Sequence, residues 1–227
     1  MGMTPLAVLV PGLGLGPESY GPTRKHLEIP SEVITLPGFG YPADKHDDLR
    51  VDAQADRLAA EVKDRRPEGR ALLVGHSASC HVVVAVAVAY PELVSGLVLI
   101  GPTGDVEASS WPRLAERWVR SAVWERPYLI PTLSKQYFRT TFRAMARAED
   151  VGRHYNLAAA LVHVGVPTVV LRCRHDSLCP PEWAQRVADL AGGEAWTLPS
   201  GSHMPVLTNG RELAAFIHRT AGVYKTG

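Results

Sequence analysis

Ala71-Leu72-Leu73-Val74-Gly75-His76-Ser77-Ala78-Ser79 is the stretch on which the reading of this chain turns. Ala71–Val74 is a short apolar run of the kind that forms a buried strand, and the residues two before and two after Ser77 are small. A sharp strand-to-helix turn needs that pattern: its central residue is strained and exposed at the strand's carboxyl end, and bulky neighbours would collide. Gly75 meets the demand fully, Ser79 less comfortably. The following His81–Ala89 segment is so rich in valine that composition alone favours a strand. A strand leading straight out of Ala71–Val74 could not reverse direction, so length and position predict a helix. A Gly-x-Ser-x-Ser string by itself is common, and its specificity comes from what surrounds it.

At 227 residues the chain fits one domain over 1–227, large enough to bury a substantial core. Lys and Arg total 24 against 23 Asp and Glu, interspersed, so there is no electrostatic footprint for nucleic acid or an anionic membrane. The expected partner is a small molecule, and the expected assembly a monomer or homodimer. The apolar run Leu6–Val10 lacks a basic flank and ends at Pro11-Gly12, too short for a signal peptide or membrane span, which predicts a cytoplasmic protein. Cys80, Cys173 and Cys179 are too few and too irregular for a disulfide framework or zinc site. Reduced thiols, no metal and no cofactor are expected.

Short β-branched runs alternate with longer helical stretches, the pattern of a doubly wound, mainly parallel α/β sheet. Strands are predicted at Leu6–Val10, Val33–Leu36, Ala71–Val74, Leu97–Ile100, Thr168–Arg172 and Ala195–Leu198. Asp52–Val62 carries Ala55, Leu58, Ala59 and Val62 at helical spacing. The stretch from 103 to about 164 differs, with Trp111, Trp118, Trp124, Tyr128 and Tyr137 among proline breaks. It reads as a helical insertion over the sheet, and those five aromatics are candidate walls of an apolar pocket.

The order of motifs resembles the α/β-hydrolase family over nearly the whole chain. Leu9-Val10-Pro11-Gly12-Leu13-Gly14 resembles its first-loop oxyanion segment, Pro37-Gly38-Phe39-Gly40 its Pro-Gly-x-Gly turn, and Gly75-His76-Ser77 its nucleophile elbow. Leu97–Pro102, the run from Pro167 to Asp176, and Gly201-Ser202-His203 follow in the family's order. The resemblance implies a Ser77 nucleophile, an Asp176 acid and a His203 base, since a serine needs a base and the base an orienting group. It implies oxyanion donors at Ala78 N–H and Leu13 N–H. Many relatives carry histidine where Pro11 stands, but the donor required comes one or two residues later.

Asp105 is the alternative acid, because some family members carry the acid after the strand that ends here at Gly101; Asp176 is favoured because its flanking pattern matches the family better and the chain order is satisfied. The other histidines match no catalytic position, and Cys80 reads as a small buried filler under the elbow. The expected chemistry is hydrolysis of an ester, thioester or lactone of a small hydrophobic or aromatic substrate through an acyl-enzyme. A second reading is carbon–carbon hydrolysis, lyase or cyclase chemistry on the same residues, since Cys80 with Gly101-Pro102-Thr103 is similar to a bacterial branch containing such hydrolases. A third, a non-catalytic ligand receptor, has no need to retain Ser77, Asp176 and His203 together.

Overall fold

A strand whose residues are apolar at every position is stable only when both faces of its sheet are covered. The computed structural model describes residues 5–222 and arranges them in that way. Along the chain run β1 (Leu6–Val10), α1 (Gly21–Arg24), β2 (Ser31–Val33), β3 (Leu36–Pro37), β4 (Gly40–Tyr41), α2 (Val51–Arg65), β5 (Ala71–His76), α3 (Ser79–Ala89) and β6 (Val94–Ile100). There follow α4 (Trp111–Ala122), α5 (Ile130–Thr140), α6 (Phe142–Gly152), α7 (Leu157–Leu161), β7 (Thr168–Cys173), α8 (Pro181–Leu190), β8 (Glu194–Leu198), α9 (Pro205–Thr208) and α10 (Gly210–Thr220). Six strands pair in parallel in the order β2-β1-β5-β6-β7-β8.

Alternate residues of the central strands feed opposite cores. Leu6, Val8, Val10 and Leu73 pack with Leu58 and Val62 of α2, Val83 of α3 and Trp183 of α8. Ala7, Leu9, Leu72 and Val74 pack on the other face with Val206 of α9 and Leu213 and Ile217 of α10. Each fully buried Leu or Val contributes about 2 kcal/mol, which outweighs the fraction of a kcal/mol by which β-branched residues disfavour a helix. That is why the valine run is helical: α3 is buried almost all round, its residues from Ser79 to Ala87 included.

One expected strand is displaced. The Val33–Leu36 prediction gives way to β2 at Ser31–Val33, after which only the Ile34 N–H still reaches β1, at Leu9 O. Leu36 is instead tied across a tight turn to Phe39, each N–H donating to the other's carbonyl at 2.9 and 2.7 Å. Pro37 has no N–H to offer a ladder, so pairing with β1 cannot resume along this segment. Leu36–Pro37 and Gly40–Tyr41 form a separate two-stranded pair.

Candidate active site

Chain order reverses across the sheet between β1 and β5, so their carboxyl ends flank a topological switch point, the usual crevice for a ligand in an open α/β sheet. Val10 of β1 lies opposite Gly75 of β5 there. Ser77 follows with φ +58°, a left-handed conformation that costs a non-glycine residue about 1–2 kcal/mol. Its N–H is held by Ile100 O at 2.8 Å. Gly75 is required by contact: a Cβ there would stand 2.8 Å from Val83 Cγ2 and 3.0 Å from Cys80 Cα.

Ser79, read from sequence as an awkward fit, is a tie. The His76 N–H donates to Ser79 Oγ at 2.8 Å, and the Ser79 hydroxyl reaches Val10 O and His76 O, each at 2.9 Å. It fastens the elbow to the end of β1. We expect Ser79→Ala to lower stability by about 1–3 kcal/mol by leaving the buried His76 N–H unpaired, measured by urea denaturation; an unchanged midpoint would show that the tie contributes nothing.

The structure brings Ser77, His203 and Asp176 into hydrogen-bonded sequence. Ser77 Oγ lies 2.8 Å from His203 Nε2, and His203 Nδ1 lies 3.0 Å from both carboxylate oxygens of Asp176. That geometry puts the ring proton on Nδ1, donating to Asp176, and leaves Nε2 to accept from the serine hydroxyl. Burial by itself would raise the Asp176 carboxyl, but the charge and hydrogen bond of His203 and the Cys179 N–H outweigh it and hold Asp176 below the usual carboxylate range. Burial would lower His203; Asp176 outweighs it, with Glu125 and Glu149 adding, and the ring is held above the ordinary histidine value of 6.5.

Other predicted residues fall on both sides of the site. Leu13 lines the cavity above Ser77, while Ala78 opens α3 immediately behind it. Among the described residues neither backbone N–H is engaged by an acceptor. Asp105 is not brought to His203: its carboxylate accepts from Glu107 N–H and pairs with Arg117 of α4. His76, neutral because burial drives it down to about 3, donates Nε2–H to His203 O at 2.8 Å and so steadies the backbone at His203. Cys80, Cys173 and Cys179 are free and buried, and burial pushes each thiol up.

Helices α4, α5 and α6 enclose an apolar cavity of about 540 Å³ that reaches Ser77 and His203. Of the five aromatics singled out in the sequence, Trp111, Trp118 and Tyr137 line it; Trp124 and Tyr128 do not. Trp124 lies beyond the end of α4 and stacks on His175, ring centroids 4.0 Å apart, while Tyr128 faces outward. Sequence reading missed Leu114, Val119, Phe142 and Met145, which also line the cavity. Helical spacing was the signal: 111, 114, 115, 118 and 119 form one stripe, and 142, 145, 146 and 149 another.

It also missed a clamp at the end of α4. Ser121 Oγ accepts from Ser177 N–H at 2.9 Å, Ser202 Oγ donates to Ser121 O at 2.8 Å, and Glu125 accepts from Met204 N–H at 2.9 Å. These bonds hold residues directly beside Asp176 and His203. A serine in the last turn of α4, a glutamate just past its end and a loop serine carry no sequence signal for such a role.

A parallel α/β sheet with a serine, a histidine and an aspartate linked at its switch point defines the α/β-hydrolase class. Residues 7–216 match the alpha/beta hydrolase family, and the chain belongs to it. It is 25% identical to a pimeloyl-[acyl-carrier protein] methyl ester esterase of Stenotrophomonas maltophilia, over 98% of this chain and 95% of the relative. It is 24% identical to a 2-hydroxy-6-oxo-6-(2'-aminophenyl)hexa-2,4-dienoic acid hydrolase of Metapseudomonas resinovorans, over 95% and 85% of the two chains. The solved structure of MenH from S. aureus superposes with a TM-score of 0.78 at 17% identity, covering 98% of this chain and 95% of the other. Family and relatives together indicate a hydrolase. Among the described residues no helix is long and apolar enough to cross a membrane, and no His, Cys, Asp and Glu cluster could hold a metal ion.

Proposed function

We propose that the protein is a serine hydrolase that cleaves esters of small hydrophobic or aromatic compounds through an acyl-enzyme. The observation that carries this reading is the 2.8 Å approach of Ser77 Oγ to a histidine whose other nitrogen is held by a buried aspartate. Ser77 Oγ forms a bond to the carbonyl carbon as its proton passes to His203 Nε2. The carbonyl oxygen becomes negative and is met by the Leu13 and Ala78 N–H groups, a donor pair in which each member is worth about 3 kcal/mol of barrier. Collapse of the intermediate breaks the ester C–O bond, and His203 returns the proton to the departing alcohol. Water then repeats the sequence on the acyl-Ser77 ester, losing its proton to His203 and releasing the acid.

Asp176 stays ionised throughout and balances the imidazolium. The apolar lining formed by α4 and α6 supports an apolar substrate, since such a cavity gains by excluding water from matching surface. The stretch 103–164, which supplies those helices, acts as the lid of a single catalytic domain. A fluorophosphonate probe is expected to label the purified protein at Ser77, read by peptide mass mapping. An unlabelled Ser77 in folded protein would overturn the reading, and a carbon–carbon cleavage product from candidate diketones in place of ester hydrolysis would redirect it.

The raised His203 also sets a pH dependence. Protonated His203 cannot take the serine proton, so kcat/KM should rise with pH through an apparent pKa above 6.5 and level off on the alkaline side. A profile flat between about pH 5 and 9 would mean that no histidine acts as base.

A further inference from the structure

Helix α6 presents Phe142, Met145, Ala146 and Glu149 to the cavity at i, i+3, i+4 and i+7. Three of these suit an apolar wall, and the fourth is a carboxylate. Its position is unfavourable on local grounds as well, because it lies in the last turn of α6, at the negative end of the helix dipole. Among the described residues its carboxylate takes part in no hydrogen bond or ion pair. Arg153, just past the end of α6, also borders this end of the cavity, but its guanidinium is held by Asp150 and Ser109 O and lies over the Trp111 ring.

Behind Glu149 a recess of about 20 Å³ opens against the same wall, shared with Thr103 and His81. That is room for one small polar group. His81 is 2% exposed and Thr103 7%, and His81 Nδ1 and Thr103 Oγ1 both lack a partner. His81 Nε2 donates to Thr103 O, so Nδ1 offers only a lone pair. Asp105 and Arg117, which border or adjoin the recess, satisfy each other. Apart from Arg153, which is held by Asp150 and Ser109 O, the side chains left without a partner at this end of the cavity can all accept: a carboxylate, a ring nitrogen and a hydroxyl.

We propose that Glu149, with Thr103 and His81 behind it, is a specificity site for a protonated amine carried on the apolar acyl portion of the substrate. This rests on the serine-hydrolase reading for the reaction, though not for the binding. An ammonium supplies three donors and the charge that a partly buried carboxylate lacks. Burial pushes the Glu149 carboxyl up, against the pull of His203 and Arg153, and a bound cation would relieve that penalty.

The test compares isosteric esters: 4-nitrophenyl ω-aminoalkanoates against 4-nitrophenyl alkanoates with a terminal methyl group in place of the amine, over a series of chain lengths. In the wild type the amine ester should be favoured in kcat/KM by at least about tenfold at one length, and Glu149→Gln should reduce that ratio by at least about tenfold. No amine preference at any length would overturn the proposal. So would an equal loss for both esters in Glu149→Gln, which would mean that Glu149 acts only through the charge on His203. Glu149→Leu should raise the Tm, since it removes a desolvated charge from an apolar stripe; a marked fall would assign the residue a structural role instead. If Ser77 is unlabelled and no ester is cleaved, the reaction reading fails by itself. Calorimetry with hexylamine and 1-hexanol on wild type and Glu149→Gln then decides the site: selective, Glu149-dependent binding of the amine upholds it, and equal binding of the two ligands overturns it.

Discussion

Ser77→Ala is expected to reduce kcat by roughly a millionfold, the scale on which removing the nucleophile of a serine-histidine-aspartate set acts. His203→Ala should cost about as much, and the double variant little more than either. The reason is geometric. Ser77 Oγ lies 2.8 Å from His203 Nε2, so in the proposed reaction the two atoms share one proton transfer and removing either partner should remove the step. Steady-state hydrolysis of a 4-nitrophenyl ester by the three variants measures this. A loss below about a hundredfold in Ser77→Ala would mean another group attacks the carbonyl. The substitution should not unfold the protein, because the elbow is fastened around Ser77 by Ser77 N–H to Ile100 O, by Ser79 and by the two cores. Unchanged circular dichroism and melting behaviour would separate lost chemistry from lost structure.

Asp176→Asn carries the second largest effect, about 10⁴ in kcat. An asparagine of the same shape can turn its NH₂ toward His203 Nδ1 and stabilise the tautomer with the proton on Nε2, where it cannot accept from Ser77. The imidazolium that forms during attack would also lose its balancing charge. Asp105→Asn should stay within about tenfold of wild type, because its carboxylate is spent on Arg117 and the Glu107 N–H, with no bond to His203. If the two results are reversed, Asp105 is the acid. The pH profile adds a second check: Asp176→Asn should move the His203 step to lower pH, since the charge that holds the imidazolium up is gone.

Much of the site was legible in the chain because its parts obey local rules. Gly75 is required because a Cβ there would strike Val83 and Cys80, Asp176 follows β7, whose apolar run identifies it, and His203 sits in the Gly201-Ser202-His203 motif after β8. What Ser79 does was not legible: whether a serine two residues past the elbow is a burden or a tie depends on Val10 O, 69 residues earlier in the chain. The lid aromatics show the same limit. Trp118 and Trp124 look alike in sequence, yet α4 ends at Ala122, and only the first keeps the face turned to the cavity.

The sequence by itself therefore determined the α/β architecture and a strained serine at a strand end, because strand and helix periods, turn sterics and motif order act over a few residues. Tertiary structure decided which acid reaches His203, which aromatics wall the cavity, that the end of α4 and the turn after it clamp the loops of Asp176 and His203, and that Glu149, on an otherwise apolar stripe, is left without a hydrogen bond or ion pair among the described residues. Those outcomes depend on hydrogen bonds and desolvation between segments far apart in the chain, and such energies exist only once the segments have been brought together.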